Sequence, residues 1–340
     1  MREPIPERVV CPECSSIRKV TLSGAIYKHK APKAEGARLA LPCPGSGTLV
    51  GSARIPRRVS GFYTCTTTRR RLRSVTTILK GGNPNPAIAP WSAGRALDEA
   101  FDSLEEMDAV RGFPELRRDV RRRLQGAAVR YRDAKADLGT KVHDVVEAHI
   151  LGTALPEEIA TDPEMLPYLV NFERFVAAWE VEFYASEMTV ANYSHGYAGT
   201  LDFLFHSPVL ARLWGLPERT LFAGDTKTGG TSLNDRTWDG HIRGVYPEAA
   251  CQLSAYRRAE YGWLPNGTWV PMPKVHEVGI ILHLLAEDYQ VVPARCDDQV
   301  YEWFRACQSV AEANAQLSKS VLGDPLTLPS SPALQEVAAA

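Results

Sequence analysis

No stretch of this 340-residue chain comes near the ~18 consecutive apolar residues that a membrane-spanning helix needs. The opening residues, M-R-E-P-I-P-E, carry no apolar core of the kind a secretory signal has. Net charge is almost absent as well, at −1, which by itself argues neither for nor against a polyanionic partner. There is no G-x-x-x-x-G-K-[ST] loop, so an ATP-driven motor within this chain is not expected. There is no G-x-S-x-G and no cysteine in a nucleophile setting, which removes the usual signs of acyl transfer. Cysteine is scarce. The seven present are odd in number and partly at metal-ligand spacing, which points to a reducing cytoplasm and away from a disulfide framework. No internal repeat is evident.

What the chain does have is a 44% hydrophobic content, enough to bury a large core, read as one main domain with a small module. Its charge is segregated. Residues 1–130 hold 24 Lys and Arg against 12 Asp and Glu, a balance of +12; the remainder holds 15 against 28, a balance of −13. The basic part includes R-R-R-L-R at 69–73 and R-R-D-V-R-R-R at 117–123. Clusters of this kind can neutralise phosphates and equally serve as solvated faces.

The chemistry concentrates in G-T-L-D at 199–202 and G-D-T-K at 224–227. The runs 200–205 and 221–227 are short, apolar and bounded by glycine, proline or charge, which predicts strands. Alternation along a strand sends Asp225 and Lys227 to the same side. Were the two strands neighbours, Asp202, Asp225 and Lys227 would converge, offering hard oxygen ligands for Mg²⁺ or Mn²⁺ beside an ammonium. Such an ion polarises a phosphate and lowers the pKa of water. Upstream, G-T-K-V-H at 139–143 begins a helical pattern with Val142, Val145, Val146 and Ile150 on one side. Downstream, Gln252 and Tyr256 fall four residues apart on a predicted helix.

This ordered set, G-x-x-x-H, G-T-x-D, D-x-K and Q-x-x-x-Y, resembles the RecB-like branch of the PD-(D/E)XK nucleases, which includes CRISPR-associated RecB-like and phage recombination exonucleases. The likeness spans roughly 139–292. It implies an α/β fold: a mixed sheet of the restriction-endonuclease type flanked by helices. It also implies a metal-dependent DNA exonuclease of phage or prophage recombination or repair. By the same resemblance Asp202 and Asp225 are metal carboxylates, and Lys227 orients water or stabilises charge on the phosphate. His143 becomes a further metal ligand, which favours Mn²⁺. Gln252 and Tyr256 position the strand or the water. Asp225 stands where many relatives have Glu, and Glu187 is a candidate additional acid. Such enzymes resect duplex ends and pass single strands to an annealing protein, some of them as toroidal oligomers. Several relatives also carry an iron–sulfur cluster on closely spaced late cysteines. Only Cys251, Cys296 and Cys307 lie in that half here, without a C-x-x-C pair, so no cluster is expected. His149, His195, His206, His241, His276 and His283 read as structural.

A second constellation lies in the first fifty residues: C-P-E-C with Cys11 and Cys14, then His29, then Cys43. A C-x-x-C turn supplies two ligands at once, and His29 with Cys43 would complete a tetrahedral Cys₃His zinc site. Metal binding would then supply the folding energy of a segment too short for a core. Cys65 competes for the fourth position, and a redox pair or buried thiols is the plainer alternative. The resulting organisation is a zinc-ribbon module at 1–51, a basic linker and helical segment at 52–132, a nuclease core at 133–320 and a disordered tail at 321–340. Helices are expected from 91 to 132, 155 to 179 and 296 to 317, with a hairpin at 275–285 and 289–292. A nucleic-acid-binding zinc-ribbon protein on a silent nuclease scaffold, and an RNA-directed nuclease, are the alternatives.

Overall fold

The computed structural model describes residues 8–11, 17–19, 28, 30, 43, 56–64, 70–155, 157–237, 240–263 and 269–326. Cys14, His29 and Cys65, most of the expected zinc module and most of the expected tail lie outside these residues. Within the first fifty, β1 (Arg8–Val10) and β2 (Ile17–Lys19) pair antiparallel.

Ten further strands form one mixed sheet. β3 (Arg57–Val59), β4 (Phe62–Thr64) and β5 (Arg71–Ser74) make an antiparallel meander. Helix α1 (Val75–Gly82) follows at once, with the Ser74 hydroxyl accepting the Thr77 N–H as its N-cap. Then come α2 (Ile88–Phe101), α3 (Leu104–Gly112) and the long α4 (Arg117–Leu151), which ends at Gly152 in the left-handed region, φ +62°. The single helix expected over 155–179 is two, α5 (Glu157–Ala160) and α6 (Leu166–Ala178). The break is T-D-P at 161–163: proline disfavours helix in the residue before it, and Asp162 Oδ1 accepts the Glu164 N–H in a turn.

Two long central strands follow, β6 (Glu182–Asn192) and β7 (Tyr197–His206), then α7 (Pro208–Leu213) and β8 (Leu221–Lys227). The order closes with α8 (Glu248–Arg257), β9 (Tyr261–Trp263), β10 (Trp269–Pro271), β11 (Val278–Leu284), β12 (Tyr289–Arg295) and α9 (Asp298–Ser320). The expected hairpin and C-terminal helix are thus β11–β12 and α9. β8 is flanked by β7 antiparallel and by β11 parallel. It is buried on both faces, as its run of apolar and small residues requires.

Helices cover both faces. α1, α8 and α9 pack one side through Val75, Ile78, Leu253, Tyr256 and Phe304. The C-terminal part of α4 and α6 pack the other, where Val142, Val145, Phe172 and Phe175 meet Phe203, Phe205 and Phe222. Gly224 lets this aromatic layer close: a Cβ there would stand 2.0 Å from the Phe203 ring. Phe203 is fully buried and cannot yield, so Gly224→Ala is expected to cost about 2 kcal/mol by overpacking, measurable as a lowered denaturation midpoint. No helix among the described residues is long and apolar enough to cross a membrane.

Candidate metal centre

The site arises where the sheet divides. One edge of β7 is shared by two strands: β8 pairs with it along Phe203–His206 and β5 only at Tyr197 and Ala198. β5 runs parallel to β7 and β8 antiparallel, so their C-terminal ends approach residues 199–202 from opposite directions. That interval has no strand partner on this edge. A cleft of about 520 Å³ opens there, with Ser74 and Lys227 on its rim.

Asp202 drops out of both ladders it would join. Beside β8, pairing stops at Phe203↔Gly224, and the Asp202 carboxylate takes over: its Oδ2 accepts the Thr226 N–H at 2.7 Å. Beside β6, Ser186 pairs with Phe203 and Met188 with Leu201, but Glu187 and Asp202 between them do not pair. Glu187 has φ +45°, a conformation that non-glycine residues adopt only at a cost of about 1 kcal/mol or more. It stands across from Asp202 in this gap. From the other side, α4 presses Val142, Val145 and Val146 into the core, which leaves His143 at the cleft. His143 Nδ1 lies 3.6 Å from Asp202 Oδ2 and 3.7 Å from Glu187 Oε1.

Asp225 and Lys227 project to the same side of β8, as alternation predicts, and Lys227 Nζ contacts Asp225 Oδ2. The other Asp225 oxygen accepts from Gln252 Nε2 at 2.7 Å. Gln252 and Tyr256 do lie on one face of a helix, α8, and both line the cleft. Tyr256 leans over Gly199, where a Cβ would come within 2.3 Å of its ring; this close approach is why G-T-L-D begins with glycine. The expected site residues of the 139–256 span therefore share one cleft.

Charge in the cleft is unbalanced. Asp144, Glu147, Glu187, Asp202 and Asp225 all line it. Burial raises the pKa of Asp202 against the pull of His143 and Lys227. Burial likewise pushes Asp225 up to about 6 despite Lys227. For His143, burial works against protonation, but the Asp202 and Glu187 carboxylates prevail and lift it to about 9. Lys227 is raised the same way: burial opposes its charge and Asp225 and Asp202 outweigh it. A site that strains carboxylates toward protonation and holds imidazole cationic is short of positive charge.

Glu187, the candidate additional acid, lies with the expected residues: with His143 and Asp202 it forms a trio whose ligand atoms lie within 4.8 Å of one another. Asp225 stands beside this trio, with its oxygens facing Gln252 and Lys227. Arg58 and Tyr63, from the β3–β4 hairpin, also line the cleft, and Tyr63 shares a 2.8 Å hydrogen bond with Thr200. Strands of three residues leave no periodicity to detect, so nothing in the sequence brings them here. Glu147 had a usable sign, since it follows His143 by four residues on the same helix.

No protein-family model matches this chain, and no curated protein matches it either. The donor set is what speaks. Two ligands of one Mg²⁺ or Mn²⁺, bonded at about 2.0–2.2 Å, lie no farther apart than about 4.4 Å; the His143 spacings fall inside that limit. Oxygen donors with one imidazole and surplus negative charge fit a divalent cation.

The other described histidines have local partners. His195 Nδ1 bonds Tyr301 Oη at 2.5 Å, His206 the Thr220 carbonyl, and His283 the Gly229 carbonyl and Gln290. Of the expected zinc ligands, Cys11 and Cys43 are described; both are buried, with Sγ atoms 3.6 Å apart. That exceeds the ~2.05 Å of a disulfide and suits two thiolates on tetrahedral zinc, about 3.8 Å apart for Zn–S bonds of ~2.3 Å.

Proposed function

We propose that this chain is a metal-dependent phosphodiester hydrolase acting on DNA, an exonuclease of the RecB-like PD-(D/E)XK kind. The observation that carries this reading is the convergence of His143, Glu187 and Asp202 with the Asp225–Lys227 pair at the division of the sheet. A divalent cation bound by His143, Glu187 and Asp202, with Asp225 adjoining, would supply Lewis acidity and a water of lowered pKa. Lys227, kept charged by its two aspartates, would orient that water or stabilise charge on the phosphate. Gln252 would fix Asp225. Arg58 would offer a guanidinium to a phosphate oxygen, and the N-terminus of α1 would add its positive end, since Val75 and Thr76 line the same cleft. The ordinary cytoplasmic setting for such an enzyme is phage or prophage recombination or repair, with an annealing protein receiving the single strands. The Cys11–Cys43 pair would hold a structural zinc, completed by Cys14 and His29.

The test is incubation with linear duplex, single-stranded and covalently closed DNA in Mg²⁺, Mn²⁺ or EDTA, with metal analysis of the same preparation. Metal-dependent loss of linear DNA alone, and one zinc per chain, are expected. Cutting of closed circles would make the protein an endonuclease, and cleavage of RNA alone would change the substrate. Binding without cleavage in any metal would leave a nucleic-acid-binding scaffold.

A further inference from the structure

The cleft is acidic, yet its proposed substrate is a polyanion. Beyond Arg58 and the N-terminus of α1, affinity needs further positive charge, and the basic half of the chain offers two arginine clusters. In the first, the three described arginines lie against aromatic rings. Arg71 and Arg73 lie over the Phe62 ring, 4.3 and 5.9 Å from its centroid, and Arg70 lies over Tyr193. These side chains clad the β3–β5 meander.

The second cluster begins α4, the helix that delivers His143. α4 is uninterrupted from Arg117 to Leu151, so its faces can be followed by turn. Counting back from His143 at 3.6 residues per turn, Thr140, Arg132, Gln125, Arg121 with Arg122, and Arg118 fall within about 60° of it, on one face that also carries Val129 and Ala136. All of them are exposed. The opposite face is taken: Arg123 pairs with Glu99 at 2.6 Å and Glu106 at 2.8 Å, and Arg130 with Glu99 at 3.1 Å. These ion pairs bind α2 and α3 to α4. Arg118 and Arg121 make no ion pair among the described residues. Arg122 pairs only with Asp119, at 3.3 Å, and Arg132 only with its neighbour Asp133, and exposed pairs of this kind are weak.

We infer that this face of α4 is a track for the phosphate backbone of duplex DNA entering the metal cleft, with Arg118, Arg121 and Arg122 as its far anchor. The inference rests on the nucleic-acid reading above and adds where the duplex lies. At 1.5 Å per residue the anchor stands about 32–38 Å from His143, with Arg132 at about 16 Å. One turn of duplex, about 10 base pairs, spans about 34 Å. A duplex whose end occupies the cleft therefore reaches the anchor only when it exceeds about one turn.

The experiment measures binding of DNA hairpins with stems of about 8 and about 16 base pairs in EDTA, where nothing is cleaved. It compares wild type, the triple variant Arg118→Ala/Arg121→Ala/Arg122→Ala and the matching triple Lys variant. Wild type should bind the longer stem at least 10-fold more tightly. The Ala variant should lose that gain, and its log K against log salt slope on the long stem should flatten by about 2–3, as three lost phosphate contacts require. The Lys variant should restore both, which a folding defect would not do. Unchanged slope and length dependence in the Ala variant would overturn the track, as would binding of matched RNA hairpins alone. Because no cleavage is needed, a protein that proved unable to hydrolyse DNA would still give a clear answer here.

Discussion

Lys227→Ala is expected to lower DNA cleavage by about 10³-fold while leaving DNA affinity in EDTA within a factor of a few. Among the described residues Lys227 is the one lysine that lines the cleft. Its ammonium is positioned by the strand that carries Asp225, so it cannot be replaced by a mobile surface lysine. Loss of an interaction made chiefly in the transition state lowers kcat and kcat/KM together, and that is the signature to look for. There is one structural side effect. Asp225 is 1% exposed and loses its counter-ion, and an unpaired buried carboxylate is destabilising. The Gln252 hydrogen bond remains and limits the damage. Lys227→Arg separates the two effects. It keeps the positive charge beside Asp225, and so the thermal midpoint, but a planar guanidinium does not reproduce the ammonium's place, and cleavage should stay at least 10-fold down. An Ala variant that cleaves within 10-fold of wild type would remove Lys227 from the chemistry.

Much of this site could be read from residue order because the residues lie on regular elements. Asp225 and Lys227 share a face by strand alternation, and Gln252 and Tyr256 by helical spacing; both follow from local geometry alone. The neighbouring of β7 and β8 was the conditional step, and the pairing of Phe203 with Gly224 supplies it. What escaped depends on irregular backbone or on long-range pairing. Glu187 stands in the sequence only as a candidate additional acid; its place across from Asp202 comes from a left-handed φ in the middle of an apolar strand, which no periodicity reports. The division of the sheet depends on β5 docking on Tyr197 and Ala198, more than 120 residues away in the chain. Arg58 rides on that same docked meander. The arginines of 117–123 looked alike in the sequence. Only the placement of α2 and α3, through Glu99 and Glu106, divides them into those that brace the arm and those that face solvent.

Glu187→Asn is expected to make the metal-free protein more stable and the metal-loaded protein less so. Glu187 holds φ +45°, a conformation that asparagine tolerates better than glutamate. Relief of that strain should contribute about 0.5–1 kcal/mol. The substitution also removes one carboxylate from a site where Asp202 already has its pKa raised by burial. The loss of the His143 contact at 3.7 Å offsets part of the gain, and a rise of a few degrees in the EDTA melting midpoint remains. If Glu187 is a ligand, Mn²⁺ affinity falls by about 10²-fold, at the upper end of what loss of even an outer-shell partner does. A ligand at 100 times its dissociation constant stabilises the folded state by about 2.7 kcal/mol. Wild type gains that at a Mn²⁺ concentration where the variant gains only a few tenths, so the order of the two melting midpoints inverts between EDTA and Mn²⁺. Glu187→Gln distinguishes the causes, because it removes the charge and keeps a side chain that disfavours positive φ. It should lose metal affinity with less gain in EDTA. An Asn variant that melts below wild type in EDTA would mean that the backbone stores no strain there. Equal Mn²⁺ affinity in all three proteins would take Glu187 out of the metal site and leave His143 and Asp202 to be completed by Asp225.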